Sequence, residues 1–170
     1  MKSVHRLRAY SVLIFFFLGL ETAFAGDAIV VALGASNTYG HWVARGEDYP
    51  AQLEQTRHAK GFKVSVVNAG VSGDTTWGML SRLDGVTPEG TRVVILEPCC
   101  NDFTKGFGWQ HASNVEEIKR RLAARRIALI MLKPMSRGKE TVDGVRLTAA
   151  AYHQFAEEIL PQVEQALRRN

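Results

Sequence analysis

Three short stretches of this 170-residue chain carry hydroxyl, amide and carboxamide groups just beyond apolar runs. The first is Gly34-Ala35-Ser36-Asn37-Thr38-Tyr39-Gly40. A serine on a strand-to-helix turn presents its hydroxyl as a nucleophile, although a Ser/Thr-rich segment is also simply a turn. The stretch is neither the Gly-x-Ser-x-Gly elbow, because Thr38 occupies its last position, nor a phosphate loop, which needs Gly-Lys-Ser/Thr. The second stretch is Asn68-Ala69-Gly70-Val71-Ser72-Gly73-Asp74-Thr75. Gly73 allows close approach of a ligand to the backbone, and its N–H can donate to a developing oxyanion. The same residues also read as a helix entry with Asp74 or Thr75 as N-cap. The third is Cys99-Cys100-Asn101-Asp102, in which Asn101 can give a side-chain N–H to the same oxyanion or cap the next turn. The chemistry common to all three is acyl transfer from a serine.

These groups need a scaffold that delivers them to one place. The pattern predicts strands over Ala28–Leu33, Val64–Asn68, Arg92–Glu97 and Ile127–Leu132, the last apolar enough to be buried on both faces. Helices are expected over Tyr49–Lys60, with Pro50 in the first turn, and over Thr75–Leu83. A further helix is expected from an Asn114 cap, with Ile118 and Leu122 on one face. The last begins at Thr148, with a stripe of Tyr152, Phe155, Ile159 and Val163. Strand–helix alternation in one short chain implies an α/β fold, a parallel sheet with helices on both faces. In such sheets the chemistry lies in the loops beyond the carboxyl ends of the strands, where the three stretches fall.

Composition fits one domain: 46% hydrophobic and 22% charged residues exclude a disordered chain. Two cysteines exclude a disulfide scaffold. Adjacent Cys99 and Cys100 rarely meet disulfide geometry, and two small buried residues at a strand end are expected. Lys2, Arg6 and Arg8 precede an apolar run from Val12 to Leu20 that ends in Ala23-Phe24-Ala25. That run is shorter than the roughly 20 residues of a membrane span and has the form of a cleaved signal peptide. Residues 1–25 are therefore expected to direct export to the periplasm or the outside, leaving a domain over 26–170 without a membrane anchor. Lys2, Arg6, Arg8 and Glu21 account for half of the net charge of +4, and the remaining basic residues are scattered. No nucleic-acid partner is implied. Oligomeric state is not legible.

Ser, Gly and Asn, offered in that order at three strand ends, resemble the blocks of the SGNH (GDSL) hydrolase family. The resemblance covers nearly all of the expected mature chain and is strongest to small secreted bacterial arylesterases and acyl-thioesterase/lysophospholipases. The family's Gly-Asp-Ser-Leu is similar to Gly34-Ala35-Ser36-Asn37, its second-block glycine to Gly73, and its Gly-x-Asn-Asp to Cys99-Cys100-Asn101-Asp102. Its Asp-x-x-His falls on Asp143-Gly144-Val145-Arg146, followed by Leu147-Thr148-Ala149. The resemblance implies a flavodoxin-like three-layer α/β/α sandwich with four to five strands. It also implies Ser36 as nucleophile, Ser36, Gly73 and Asn101 around the oxyanion, and Asp143 as the orienting acid. The implied substrate is a small acyl or aryl ester, with no cofactor and no metal.

The chain departs from the family in four places. Ala35 replaces the acidic residue of the first block, and Cys99-Cys100 stand for Gly-Gly. The interval from Met135 to Asp143 is short enough to leave a fifth strand missing or stunted. Arg146 occupies the position of the catalytic histidine. Arginine has no acceptor atom and a pKa above about 12, so it cannot serve as a general base. Its fixed charge would favour an anionic ligand or pair with Asp143 or Glu140.

Other histidines offer no clear substitute. His41 follows the Ser36 turn, His111 lies in a Gly/Trp-containing loop, His153 falls inside the last helix, and His58 suits a helix C-terminus. Ser136-x-x-Lys139 lacks the companion motifs of penicillin-recognising enzymes. Trp77 and Trp109 line an acyl or aromatic pocket or, more simply, pack. Besides a serine esterase, the sequence admits a non-catalytic descendant that binds ligand through Arg146. It also admits a flavodoxin-type FMN binder with Ser36 and Thr38 around the phosphate.

Overall fold

The computed structural model describes residues 28–59, 61, 63–98, 100–133, 140–141, 143–144 and 146–169. The proposed signal peptide, Cys99, Met135, Ser136 and Lys139 lie outside these residues. The described chain forms β1 (Ala28–Gly34), α1 (Ser36–Tyr39), α2 (Tyr49–Ala59), β2 (Val64–Gly70) and α3 (Thr76–Val86). It continues as β3 (Thr91–Leu96), α4 (Asn101–Thr104), α5 (Gly108–Ala124), β4 (Ala128–Met131) and α6 (Ala149–Arg169).

The four strands are parallel in the order β2-β1-β3-β4. Alternate side chains of β1 face opposite layers, as the period of a strand requires. Val30 and Ala32 join Tyr49 and Leu53 of α2 and Tyr152, Phe155, Ile159 and Val163 of α6. Val31 and Leu33 join Met79 and Leu83 of α3 and Ile118 and Leu122 of α5. The result is the expected three-layer sandwich. Between Thr141 and Leu147 there is an isolated antiparallel bridge, and among the described residues the sheet has four strands. No helix among the described residues is long and apolar enough to cross a membrane.

Of the two readings of Thr75, first helical residue or N-cap, the structure shows the cap, its side chain accepting the Gly78 N–H at 3.2 Å. Several elements depart from the pattern reading. Helix α5 starts at Gly108, six residues before Asn114, which is buried mid-helix and donates to Thr76 Oγ1 at 3.1 Å. A tertiary hydrogen bond thus places Asn114 inside a helix, where its propensity alone favours a cap. Strand β4 is an edge strand with Met131 exposed, because an apolar run does not distinguish an edge from a centre. Cys100 is exposed rather than buried, since the chain leaves the sheet at Glu97 and turns into α4. Helix α6 continues through Pro161, where burial of Ile159, Leu160, Val163 and Leu167 outweighs one lost backbone bond.

Register brings the three loops level. Gly34 pairs with Gly70 and Leu33 with Leu96, so β1, β2 and β3 end at one edge of the sheet. The close approach of α1 to β2 there requires Gly70. A Cβ on it would lie 2.2 Å from the Tyr39 nitrogen and 2.6 Å from the Tyr39 Cα. Backbone atoms cannot yield as a side-chain tip can. Gly70→Ala is therefore expected to destabilise the fold by about 2–3 kcal/mol through overpacking, read as a lowered midpoint in urea unfolding.

Candidate active site

Ser36 is the first residue of α1, half-buried, directly after the buried Ala35 at the end of β1. The turn is held by a residue the sequence reading passed over. Glu97 is the first residue beyond β3 and only 5% exposed. Its Oε2 accepts the Ala35 N–H at 3.1 Å, the Thr38 N–H at 3.1 Å and the Thr38 hydroxyl at 2.7 Å. The donors lie on both sides of Ser36, so one carboxyl oxygen fixes the path of the turn. Burial raises the Glu97 carboxyl above the ordinary carboxylate range, partly offset by those three donors. The sequence signal was a carboxylate closing the run Val93-Val94-Ile95-Leu96, which must be partnered if buried.

Gly73 has φ +77°, the left-handed region, at the tip of the loop after β2. Asn101 begins α4 and donates its Nδ2 to the Asp74 carbonyl at 2.7 Å, one residue from Gly73. A carboxamide nitrogen carries two protons, so the second is available to a ligand. Two further groups fix this pair. Arg82 of α3 holds Asp74 Oδ2 through Nε at 3.0 Å and Nη2 at 2.7 Å. The same guanidinium donates to the carbonyls of Ala69 at 2.7 Å and Gly34 at 3.3 Å, tying the ends of β1 and β2 to the Gly73 loop. Asp102, fully buried, accepts the Thr76 N–H at 3.0 Å and its hydroxyl at 2.6 Å, which binds α4 to the start of α3.

The C-terminal block arrives beside Ser36 through its neighbours. The Leu147 N–H (3.4 Å) and Tyr152 hydroxyl (3.3 Å) both donate to Asn37 Oδ1. Arg146 and Ser36 thus each immediately precede a partner in that contact. Arg146 forms an ion pair with Asp143, whose other carboxylate oxygen accepts the Arg146 backbone N–H at 2.8 Å. The guanidinium carbon also lies 6.0 Å from the Trp42 ring centroid. Of the two outcomes expected for this charge, the structure shows pairing with Asp143.

The remaining histidines are placed differently from one another. His41 donates its backbone N–H to the Ser36 carbonyl at 3.1 Å, with its ring edge-on to Trp42 at 5.1 Å. His111 is in α5, not a loop, and its Nδ1 faces buried Asp102 at 3.5 Å. His153 is exposed, 3.9 Å from Glu157, and His58 is exposed with Nε2 3.1 Å from the Val64 carbonyl. No cluster of three His, Cys, Asp or Glu suited to a metal occurs among the described residues. Trp77 and Trp109 do not pack as expected. They are 62% and 80% exposed, because each sits in the first turn of a helix at the loop edge of the sheet.

Residues 32–168 match the model of the GDSL-like lipase/acylhydrolase family. An arylesterase of Vibrio mimicus is 32% identical over 105 residues, 59% of this chain and 50% of the relative. Esterase TesA of Pseudomonas aeruginosa is 39% identical over 84 residues, 48% of this chain and 37% of the relative. The chain thus spans half or less of the curated relatives it matches. Among solved structures, AlinE4, an SGNH-hydrolase family esterase, is similar with a TM-score of 0.58 at 26% identity, over 82% of this chain and 74% of that one. A crystal structure of TesA shares the fold, with a TM-score of 0.70 at 21% identity, over 81% of this chain and 99% of that one.

A pH test follows from Glu97. Above the ordinary carboxylate pKa of 4.5 and up to its raised value, Glu97 is protonated in the folded chain and ionised in the unfolded one. Its contribution to stability is therefore lost as pH rises through that window. Glu97→Gln keeps an oxygen for the three donors and is expected to flatten this fall. Urea midpoints of both proteins from mildly acidic to neutral pH check it, and equal slopes would contradict it.

Proposed function

Because the chain belongs to the GDSL-like lipase/acylhydrolase family, we propose that it is a serine ester hydrolase for small acyl or aryl esters, exported to the periplasm or beyond and slowed by the absence of a histidine base. The convergence of Ser36, Gly73 and Asn101 at one sheet edge carries this reading. In it, the Ser36 hydroxyl attacks the ester carbonyl while the Gly73 N–H and the second Asn101 Nδ2 proton receive the negative charge on the carbonyl oxygen, with the Ser36 N–H beside them. The alcohol or phenol then leaves, and water releases the acyl group from Ser36. Donors already held in place by Arg82 and Asp102 need no reorganisation as the charge develops, which makes such electrostatic stabilisation large.

Proton transfer is the weak step. In family members with Asp-x-x-His, a base at the position of Arg146 would take the Ser36 proton, and Asp143 would orient it. Here Asp143 is engaged by Arg146, and the guanidinium accepts no proton. Oxyanion stabilisation and binding alone leave roughly 10³–10⁴ over water in the serine protease case. The arylesterase and TesA relatives support the ester class. A flavin-binding alternative leaves Gly73 and Asn101 without a task.

The test is hydrolysis of p-nitrophenyl acetate and butyrate by the parent, Ser36→Ala, Arg146→His and the double variant. Slow parental turnover that Ser36→Ala removes is expected. Arg146→His is expected to raise kcat by about 10²–10⁴-fold, the usual span of general-base catalysis, only while Ser36 is present. If Arg146→His gains no Ser36-dependent activity and the parent is inert, the chain is a ligand-binding descendant of the family instead.

A further inference from the structure

Trp77 and Phe107 leave large aromatic surface in water, 62% and 48% exposed, and both line a recess of about 240 Å³. Thr75 and Gln110 complete its lining among the described residues, and none of these four side chains is charged. The recess adjoins both expected oxyanion donors. Thr75 lies two residues beyond Gly73, and Asn101 reaches across to the Asp74 carbonyl between them. Phe107 donates its N–H to the carbonyl of Asp102, the residue after Asn101, at 2.6 Å. The walls are stiff: Thr75 caps α3 and Phe107 caps α5, each at the start of a helix packed in the core.

Size narrows the occupant. A cavity of about 150 Å³ with apolar walls accepts benzene, whereas drug-sized ligands need roughly 300–1,000 Å³. A recess between these limits holds one ring with a small substituent and is too small for a long acyl chain. Aromatic walls favour a planar partner in offset or edge-to-face contact. The Gln110 amide and the Thr75 hydroxyl, the latter already accepting the Gly78 N–H at 3.2 Å, are the polar side-chain groups of this lining.

We propose that the Trp77–Phe107 recess binds the single aromatic ring of an aryl ester and so sets the substrate preference of the site. The proposal rests on the hydrolase reading, but its test does not depend on turnover. Protein carrying Ser36→Ala is labelled with ¹⁵N and titrated with phenyl acetate and, separately, hexyl acetate. The backbone N–H signals of Thr75 and Gln110 report occupancy. Saturable shifts at both are expected, with phenyl acetate binding at least fivefold more tightly than hexyl acetate. Trp77→Ala and Phe107→Ala, both exposed positions, are each expected to weaken phenyl acetate about tenfold with unchanged thermal midpoints. Unchanged affinity in both variants, or hexyl acetate binding as tightly as phenyl acetate, would overturn the proposal. If the parent hydrolyses aryl esters through Ser36 while Trp77→Ala leaves KM unaltered, the hydrolase reading stands and this one falls.

Discussion

A carboxyl group buried at the end of β3 governs the geometry of the Ser36 turn. Glu97 receives three donors from Ala35 and Thr38, on both sides of Ser36. The interaction joins two neighbouring strands where each stops being a sheet. It also demands an absent side chain: a Cβ on Gly34 would lie 2.1 Å from Thr38 Oγ1 and 2.7 Å from Glu97 Oε2. Burying a carboxyl costs free energy unless its oxygens are satisfied, and here the turn itself satisfies one of them. The strand end and the serine loop are therefore specified together, neither being favourable without the other.

The groups around the site fall into two sets with different chemical completeness. Arg82, Asp102 and Thr76 bind the Gly73 and Asn101 loops through buried or half-buried hydrogen bonds, several to charged partners and thus among the stronger kind. Asp143 and Arg146 form a second set, exposed to partly exposed, in which the acid faces a cation rather than a base. On the proposed mechanism the first set acts on the oxyanion and the second on the proton. With arginine at 146 the loop still docks at Asn37, but the residue has no atom that would accept a proton. The guanidinium is accommodated there by both a carboxylate and an aromatic face.

Periodicity in the sequence was enough to place the four described strands within a few residues and to align the three loops at one edge. It failed where long-range polar contacts decide. Asn114 has the composition of a cap but is drawn into α5 by Thr76, and Thr76 is itself engaged by Asp102 from 26 residues away. The placement of Ser36, Gly73 and Asn101 at one sheet edge was legible because each follows the end of a strand at a short offset. Arg82 was not, since nothing local distinguishes a supporting charge from a solvated one; Glu97 and Asp102 stood out only by position, and their partners lie too far along the chain to be read from it. The exposed positions of Trp77 and Trp109 were misjudged for the opposite reason: hydrophobicity predicts burial only on average.

The placement of α6 bears on how the chain emerges from the ribosome. All of Ser36, Gly73 and Asn101 have been synthesised by residue 101, together with three of the four strands. Yet the sheet face carrying Val30, Ala32, Val93 and Ile95 is covered by Leu147, Tyr152, Phe155, Ile159 and Val163. Asn37, next to the serine, likewise waits for Leu147 and Tyr152. A nascent chain that has already made Ser36 therefore carries it beside an apolar sheet face that α2 covers in part until α6 docks. Docking of α6 therefore closes this layer of the core and fixes Asn37 beside Ser36 in a single event.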